Sequence, residues 1–252
     1  MNIAVITGAS SGLGAEFART VIKDYPELDE IWIIARREQR LQELKNELGD
    51  KIRVVCMDIT DNGKIDEYQN LLSENNGRVS LLVNNAGFGK LGDFDKISTS
   101  DNAAMVRLNC EALTVMTAVT LPFMPDGSEI INTCSIASFA PNVRMAVYSS
   151  TKAYVMSLSR CMREELKKRS INVLAVCPGP MDTEFLPVAN ISKGSSAAFD
   201  RLPRVSVSRI AHKSIIASKK RKGVYTNRFF YKLYRVVAKL LPHALVMKFC
   251  KT

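Results

Sequence analysis

Tyr148 and Lys152 stand four residues apart in the run Ala-Val-Tyr-Ser-Ser-Thr-Lys-Ala, and Ser135 lies thirteen residues before the tyrosine. On a helix this spacing is about one turn and sets the phenol and the ammonium on one face. A neighbouring ammonium favours the phenolate and lowers a phenol pKa from its usual value near 10. A tyrosine tuned in this way can give or take a proton near neutral pH. The Ser135 hydroxyl can hold the oxygen of a ketone or alcohol. The three residues suit reversible proton transfer at a carbonyl and need no metal. The Tyr–Lys pair alone fits a solvated helix face equally well, so the elements around it decide its meaning.

The chain opens with the apolar run Asn2-Ile3-Ala4-Val5-Ile6, which enters Thr7-Gly8-Ala9-Ser10-Ser11-Gly12-Leu13-Gly14 and then a helix beginning near Gly12. A strand, a glycine-rich turn and a helix in this order suit a dinucleotide. Gly8 permits a tight turn, Gly12 lets backbone approach a pyrophosphate, and Gly14 lets helix and strand pack closely. The helix N-terminus adds free N–H groups and a positive dipole. The spacing is G-x-x-x-G-x-G rather than the general G-x-G-x-x-G.

The glycine turn, Asn-Asn-Ala-Gly at 84–87, Asn109, Ser135, Tyr148-x-x-x-Lys152, and Pro178 with Gly179 follow one another in an order and spacing that resembles the short-chain dehydrogenase/reductase family, over residues 1 to about 185. The resemblance implies hydride transfer to or from a nicotinamide. It implies that Tyr148 exchanges the proton, Ser135 orients the oxygen, Lys152 holds the nicotinamide ribose, and Asn109 maintains a water chain to the lysine. It also places Gly8, Ser10, Ser11, Gly12, Leu13 and Gly14 at the pyrophosphate. Asp58 and Ile59 fall at the adenine; Asn85, Ala86 and Gly87 beside its ribose; Pro178, Gly179, Met181 and Thr183 near the nicotinamide amide. Asp58 can also cap the helix that follows it, and the two roles are compatible.

The rest of the chain agrees with this frame. Its 252 residues suffice for one α/β domain. Short apolar, β-branched runs predict strands at 2–6, 30–35, 51–57, 80–84, 128–134, 171–176 and 223–227. Helices are predicted at 12–24, 37–48, 61–74, 100–124, 146–170 and 205–220. The alternation points to a doubly wound parallel sheet of Rossmann type in a single domain, 1–227, with a C-terminal helical extension, 228–252. No transmembrane helix is expected, and the N-terminus enters a strand without a leader pattern. The six scattered cysteines (56, 110, 134, 161, 177 and 250), with no C-x-x-C, read as reduced thiols in a cytoplasmic protein.

Cofactor preference is read from the second strand. Ile31-Trp32-Ile33-Ile34-Ala35 ends without an acid and is followed by Arg36 and Arg37. An acid there would bind a ribose 2′-hydroxyl and repel a 2′-phosphate. Ala35 removes that repulsion and Arg36 offers several donors to phosphate. NADP (NADPH) is therefore favoured over NAD, although both arginines also suit the start of a charged helix.

The substrate side is less determined. Phe88, Ile136, Phe139, Val143, Met145, Met181, Phe185 and Leu186 border the expected site, and such a wall favours an apolar or alicyclic carbonyl, steroid-like or lipidic. The same residues also suit ordinary core. Residues 187–204, rich in Ser, Ala and Gly, read as a mobile flap. Residues 201–252 hold fourteen Lys or Arg and no acid, whereas the remainder has 21 basic and 25 acidic residues. In the tail Arg228, Lys232, Arg235 and Lys239 make one stripe among large apolar residues, and 244–249 can form a further short turn. Packing on protein is the first reading, peripheral contact with an anionic membrane the second, and nucleic acid the last, since no binding motif accompanies the charge. Helices 100–124 and 146–170 resemble the family's main dimer helices, and the resemblance implies a homodimer built on them. A fold-retaining binding protein without turnover is the alternative to an enzyme.

Overall fold

The computed structural model describes residues 1–192, 194–196, 200 and 202–249. Parts of the expected flap and of the tail's end, Cys250 included, lie outside the described residues. Seven parallel strands form one sheet in the order β3-β2-β1-β4-β5-β6-β7. They are β1 Asn2–Thr7, β2 Glu30–Ala35, β3 Ile52–Cys56, β4 Arg78–Asn84, β5 Glu129–Thr133, β6 Asn172–Cys177 and β7 Val224–Thr226. Order reverses between β1 and β4, and in doubly wound sheets that switch point is where ligands bind, beyond the carboxyl ends of the strands.

Both faces of the sheet are buried, which explains the continuous apolar runs. In β1, Ala4 and Ile6 join a core with Phe17 and Val21 of α1 (Gly12–Asp24), Leu41 of α2 (Glu38–Leu48) and Ile215 of α8 (Val207–Lys219). Ile3 and Val5 point the other way, toward Tyr68 of α3 (Asn62–Glu74) and Met116 of α5 (Leu113–Thr120). Side-chain caps fix several helix starts: Asp61 accepts from the backbone of Gly63 and Lys64 before α3, and Ser98 accepts from Asp101 before α4 (Thr99–Val106).

The run predicted as one helix at 100–124 is interrupted. Between α4 and α5, residues Arg107–Ala112 form a π-helical turn. The whole run Thr99–Phe123 is long and apolar enough to cross a membrane by length and composition alone. Met105, Leu113 and Met116 on it are buried in the protein core, the burial pattern of a core helix. A long α6 (Ala146–Glu165) packs beside it.

After β6 come a short α7 (Phe185–Val188), α8 and β7, then the tail helices α9 (Phe229–Leu240) and α10 (His243–Phe249). Residues 187–192 are not loose: Leu91 donates its backbone N–H to Ala189, and Ala189 and Ile191 are buried. Helix α9 is anchored by Tyr231, fully buried, whose ring lies against Gly179 and whose hydroxyl donates to the Pro203 carbonyl at 3.2 Å.

Candidate active site and dinucleotide cleft

Beyond the carboxyl edge of the sheet lies a cavity of about 1520 Å³. Ligand pockets commonly measure roughly 300–1,000 Å³, so this one has room for a dinucleotide and a second molecule together. The glycine turn forms its floor. Gly8 has φ +67°, and a Cβ there would stand 2.8 Å from the Ala86 Cα. Only glycine fits both the conformation and the space. The turn is held open from across the switch point, where Thr7 Oγ1 accepts from the backbone N–H of Asn85 at 3.0 Å and of Ala86 at 3.2 Å. The Asn85 side chain donates back to the carbonyls of Thr7 and Gly8. Asn85 therefore braces the loop, a structural task beyond the ribose position expected of it.

These residues fit a dinucleotide. Helix α1 has no acid in its first turn, and its N-cap Ser11 makes no capping bond to the backbone. The positive end of the helix is thus left for an anion. Ser10, Gly12, Leu13, Asp58, Ile59, Ala86, Gly87, Met181 and Thr183 all line the same cleft. Two Thr60 bonds and Arg36 hold the Asp58 carboxyl below its usual range, although burial alone would push it up.

Arg36 is largely exposed and lies 3.5 Å from Asp58. Arg37, read from sequence only as one of the charges that open a helix, is the more committed of the two. Its guanidinium donates to Ser10 Oγ and Ser11 Oγ and pairs with Glu184 at 2.8 Å. Glu184, which sequence reasoning missed, is held below the ordinary carboxylate range by Arg37 and Ser11. Its only sequence signal is its place just after Thr183.

The proton-handling residues meet at the far end. Ser135 follows β5 and is the N-cap of a 3₁₀ turn, its Oγ accepting from the Ala137 N–H at 3.1 Å. Tyr148 and Lys152 occupy successive turns of α6, as the spacing predicts. Lys152 Nζ donates to the Thr133 carbonyl at 2.9 Å and lies 5.8 Å from the Tyr148 ring centroid. The Tyr148 phenol is not lowered, contrary to the sequence expectation. Burial pushes it up to about 12, and a hydrogen bond with Ser135 offsets only part of that. The same burial lowers Lys152, against the influence of the Cys134, Cys110 and Cys177 thiols around it. Desolvation penalises each charged form more than these neighbours stabilise it. The five described cysteines are all free.

Asn109 sits in the π-helical turn. It accepts from the Phe88 N–H at 3.0 Å and donates to the Phe88 carbonyl at 2.8 Å and to Thr151 Oγ1 at 3.0 Å. It thus ties the 84–88 segment to α6. A Cβ on Gly87 would fall between Asn109 Oδ1 and Lys152 Nζ, at 2.8 and 3.4 Å.

The apolar wall is drawn differently from the sequence expectation. Phe88, Ile136, Met145, Met181, Phe185 and Leu186 line the cavity, but Phe139 and Val143 do not. Phe139 instead packs on Tyr234, its ring centroid 5.8 Å away, and Val143 faces outward. Their places are taken by the tail, through Phe230, Tyr231, Tyr234, Val237, Leu241 and Val246. The helical spacing of 230, 234, 237 and 241 was the available signal.

The short chain dehydrogenase family model matches residues 2–193. An uncharacterized oxidoreductase of Staphylococcus epidermidis is 29% identical over 183 residues, spanning 72% of this chain and 78% of that one. Among solved structures, a short-chain dehydrogenase from Sphingobium yanoikuyae in complex with NADPH aligns with a TM-score of 0.77 at 26% identity, covering 97% of this chain and 98% of that chain. A 3-ketoacyl-(acyl-carrier-protein) reductase from Brucella melitensis complexed with NADH aligns at 0.75 and 25%, covering 88% and 94%.

Proposed function

The chain belongs to the short-chain dehydrogenase family of oxidoreductases, and from that premise we propose that it interconverts a ketone and a secondary alcohol with NADP(H), on an apolar or alicyclic substrate of steroid-like or lipidic character. The observation that carries this reading is the convergence of Ser135, Tyr148 and Lys152 on the cavity that also contains the glycine turn. Bound NADPH supplies the hydride. Tyr148, neutral because it is buried, gives its phenolic proton to the carbonyl oxygen. Ser135 Oγ donates a hydrogen bond to that oxygen and fixes its direction. Lys152 would hold the nicotinamide ribose hydroxyls, its Nζ already positioned by the Thr133 carbonyl. Asn109 keeps the wall beside Lys152 in place through Phe88 and Thr151.

Preference for the phosphorylated cofactor rests on charge. The end of β2 carries no acid, and Arg36 and Arg37 both line the cleft. Of the two structural relatives described, one binds NADPH and the other NADH, so relatedness alone does not choose. The apolar side chains contributed by α7, α9 and α10 support the substrate class. The dimer reading is supported by a shallow apolar depression on the α4–α6 face, lined by Phe94, Val106, Cys110 and Val147 among others. The test is oxidation of NADPH and NADH across a panel of ketones, from cyclic apolar compounds to sugars and keto acids. Turnover confined to charged or sugar substrates would reject the substrate class, and equal use of NADH would reject the cofactor preference.

A further inference from the structure

The geometry points to α9 as a docking surface for an anionic lipid bilayer. The helix divides into four faces at 100° per residue. Tyr231 and Ala238 face the domain and are buried. On the opposite side Phe229, Leu233, Val236 and Leu240, spaced by four, three and four, are 80, 49, 53 and 75% exposed. A stripe of large apolar side chains left open along a whole helix calls for an occupant.

The charge beside it identifies that occupant. Arg228, Lys232, Arg235 and Lys239 run along one flank of the apolar stripe. Lys232, Arg235 and Lys239 form no ion pair with any described residue. No acid occurs in 201–252 to neutralise them. A second copy meeting this face would bring the same uncompensated cations with it. An anionic headgroup layer supplies the missing counter-charge, and the acyl region beneath it takes the apolar stripe. Twelve residues of helix are about 18 Å long, too short for a hydrocarbon core of about 30 Å, so the helix lies in the plane of the interface.

The remaining face gives docking a use. Phe230, Val237 and Leu241 are more than a third exposed and also line the cavity, as does Val188. The cavity mouth therefore opens beside the lipid-facing stripe, and a carbonyl compound dissolved in the bilayer enters without crossing water. This delivery rests on the reductase reading; docking itself does not.

The experiment is co-sedimentation of the full chain with vesicles of phosphatidylcholine alone or mixed with phosphatidylserine, at low and high salt, together with the mass in solution. The wild type is expected to sediment with the anionic vesicles at low salt and to stay in solution with neutral vesicles or at high salt. Lys232→Glu with Lys239→Glu, and separately Leu233→Ser with Leu240→Ser, are each expected to weaken partitioning about tenfold or more. All four positions lie outside the cavity lining, so turnover of a water-soluble ketone and the thermal melt should stay unchanged. A wild type that remains in solution with anionic vesicles overturns docking whether or not any ketone is turned over. Undiminished sedimentation of both variants overturns it too. So does a fall in molecular mass caused by the leucine substitutions, which would assign the stripe to a second copy.

Discussion

At Tyr148 burial and hydrogen bonding oppose each other, and burial wins, leaving the phenol at about 12. Such a residue is held in its acid form at neutral pH, which is what protonation of a carbonyl oxygen requires. Tyr148→Phe keeps the ring against Phe185 and removes only the proton. Turnover should fall at least about a hundredfold, the usual scale for a lost general acid, with NADPH binding retained in a fluorescence titration. Near-normal turnover in a folded variant would sink the mechanism. At the other end of the cleft, Arg36→Ala and Arg37→Ala should each weaken NADPH binding by about 1.5–3 kcal/mol more than NADH binding, the worth of a hydrogen bond to a charged group. Equal weakening of both cofactors would remove the phosphate assignment. Arg36 could be proposed from the sequence because it follows the strand without an intervening acid. Arg37 could not, since its partners Ser10, Ser11 and Glu184 come from two distant loops.

Among the elements, the strands were the most legible, because both faces of the sheet are buried and each strand is a plain apolar run. The loops that carry the glycine turn, Ser135 and Gly179 follow those strands and inherit their positions. The π-helical turn at Arg107–Ala112 left no signal in the local sequence pattern; it carries Asn109, whose Oδ1 accepts from the distant Phe88 N–H. The tail was legible as an amphipathic helix but not as a wall of the cavity. One apolar face was expected and two exist, one lining the cavity and one exposed. Tyr231 joins the tail to the domain, so Tyr231→Ala should destabilise the protein by about 3–5 kcal/mol, as large-to-small core substitutions of aromatics do. Thermal and denaturant unfolding measure this. A loss well below that range would mean that α9 is held chiefly by something else.

For the whole molecule, several buried phenols should set the alkaline limit of stability. Tyr25, bonded to Glu129, and Tyr68, bonded to Thr120, are pushed up by burial, as Tyr148 is. Their folded pKa values exceed the unfolded value near 10, so the native state keeps protons that the unfolded chain releases. Their contribution is complete below that pH and is lost progressively above it. The melting temperature should hold through mildly alkaline pH and then fall steeply, with unfolding and tyrosinate absorbance rising together. Exposed phenols titrating before unfolding would not contradict this; titration of every tyrosine in the folded protein would. The ion pair between Arg37 and Glu184 ties the start of α2 to the segment that leads into α7. A 2′-phosphate reaching Arg37 must compete with the Glu184 carboxylate, and the next residue, Phe185, has its ring centroid 5.5 Å from that of Tyr148. If a bound 2′-phosphate draws Arg37 away from Glu184, the expected kinetic signature is a compulsory order of addition, cofactor first. NADP⁺ should inhibit competitively against NADPH and non-competitively against the ketone, and in Glu184→Gln the sequence of arrival should relax toward random.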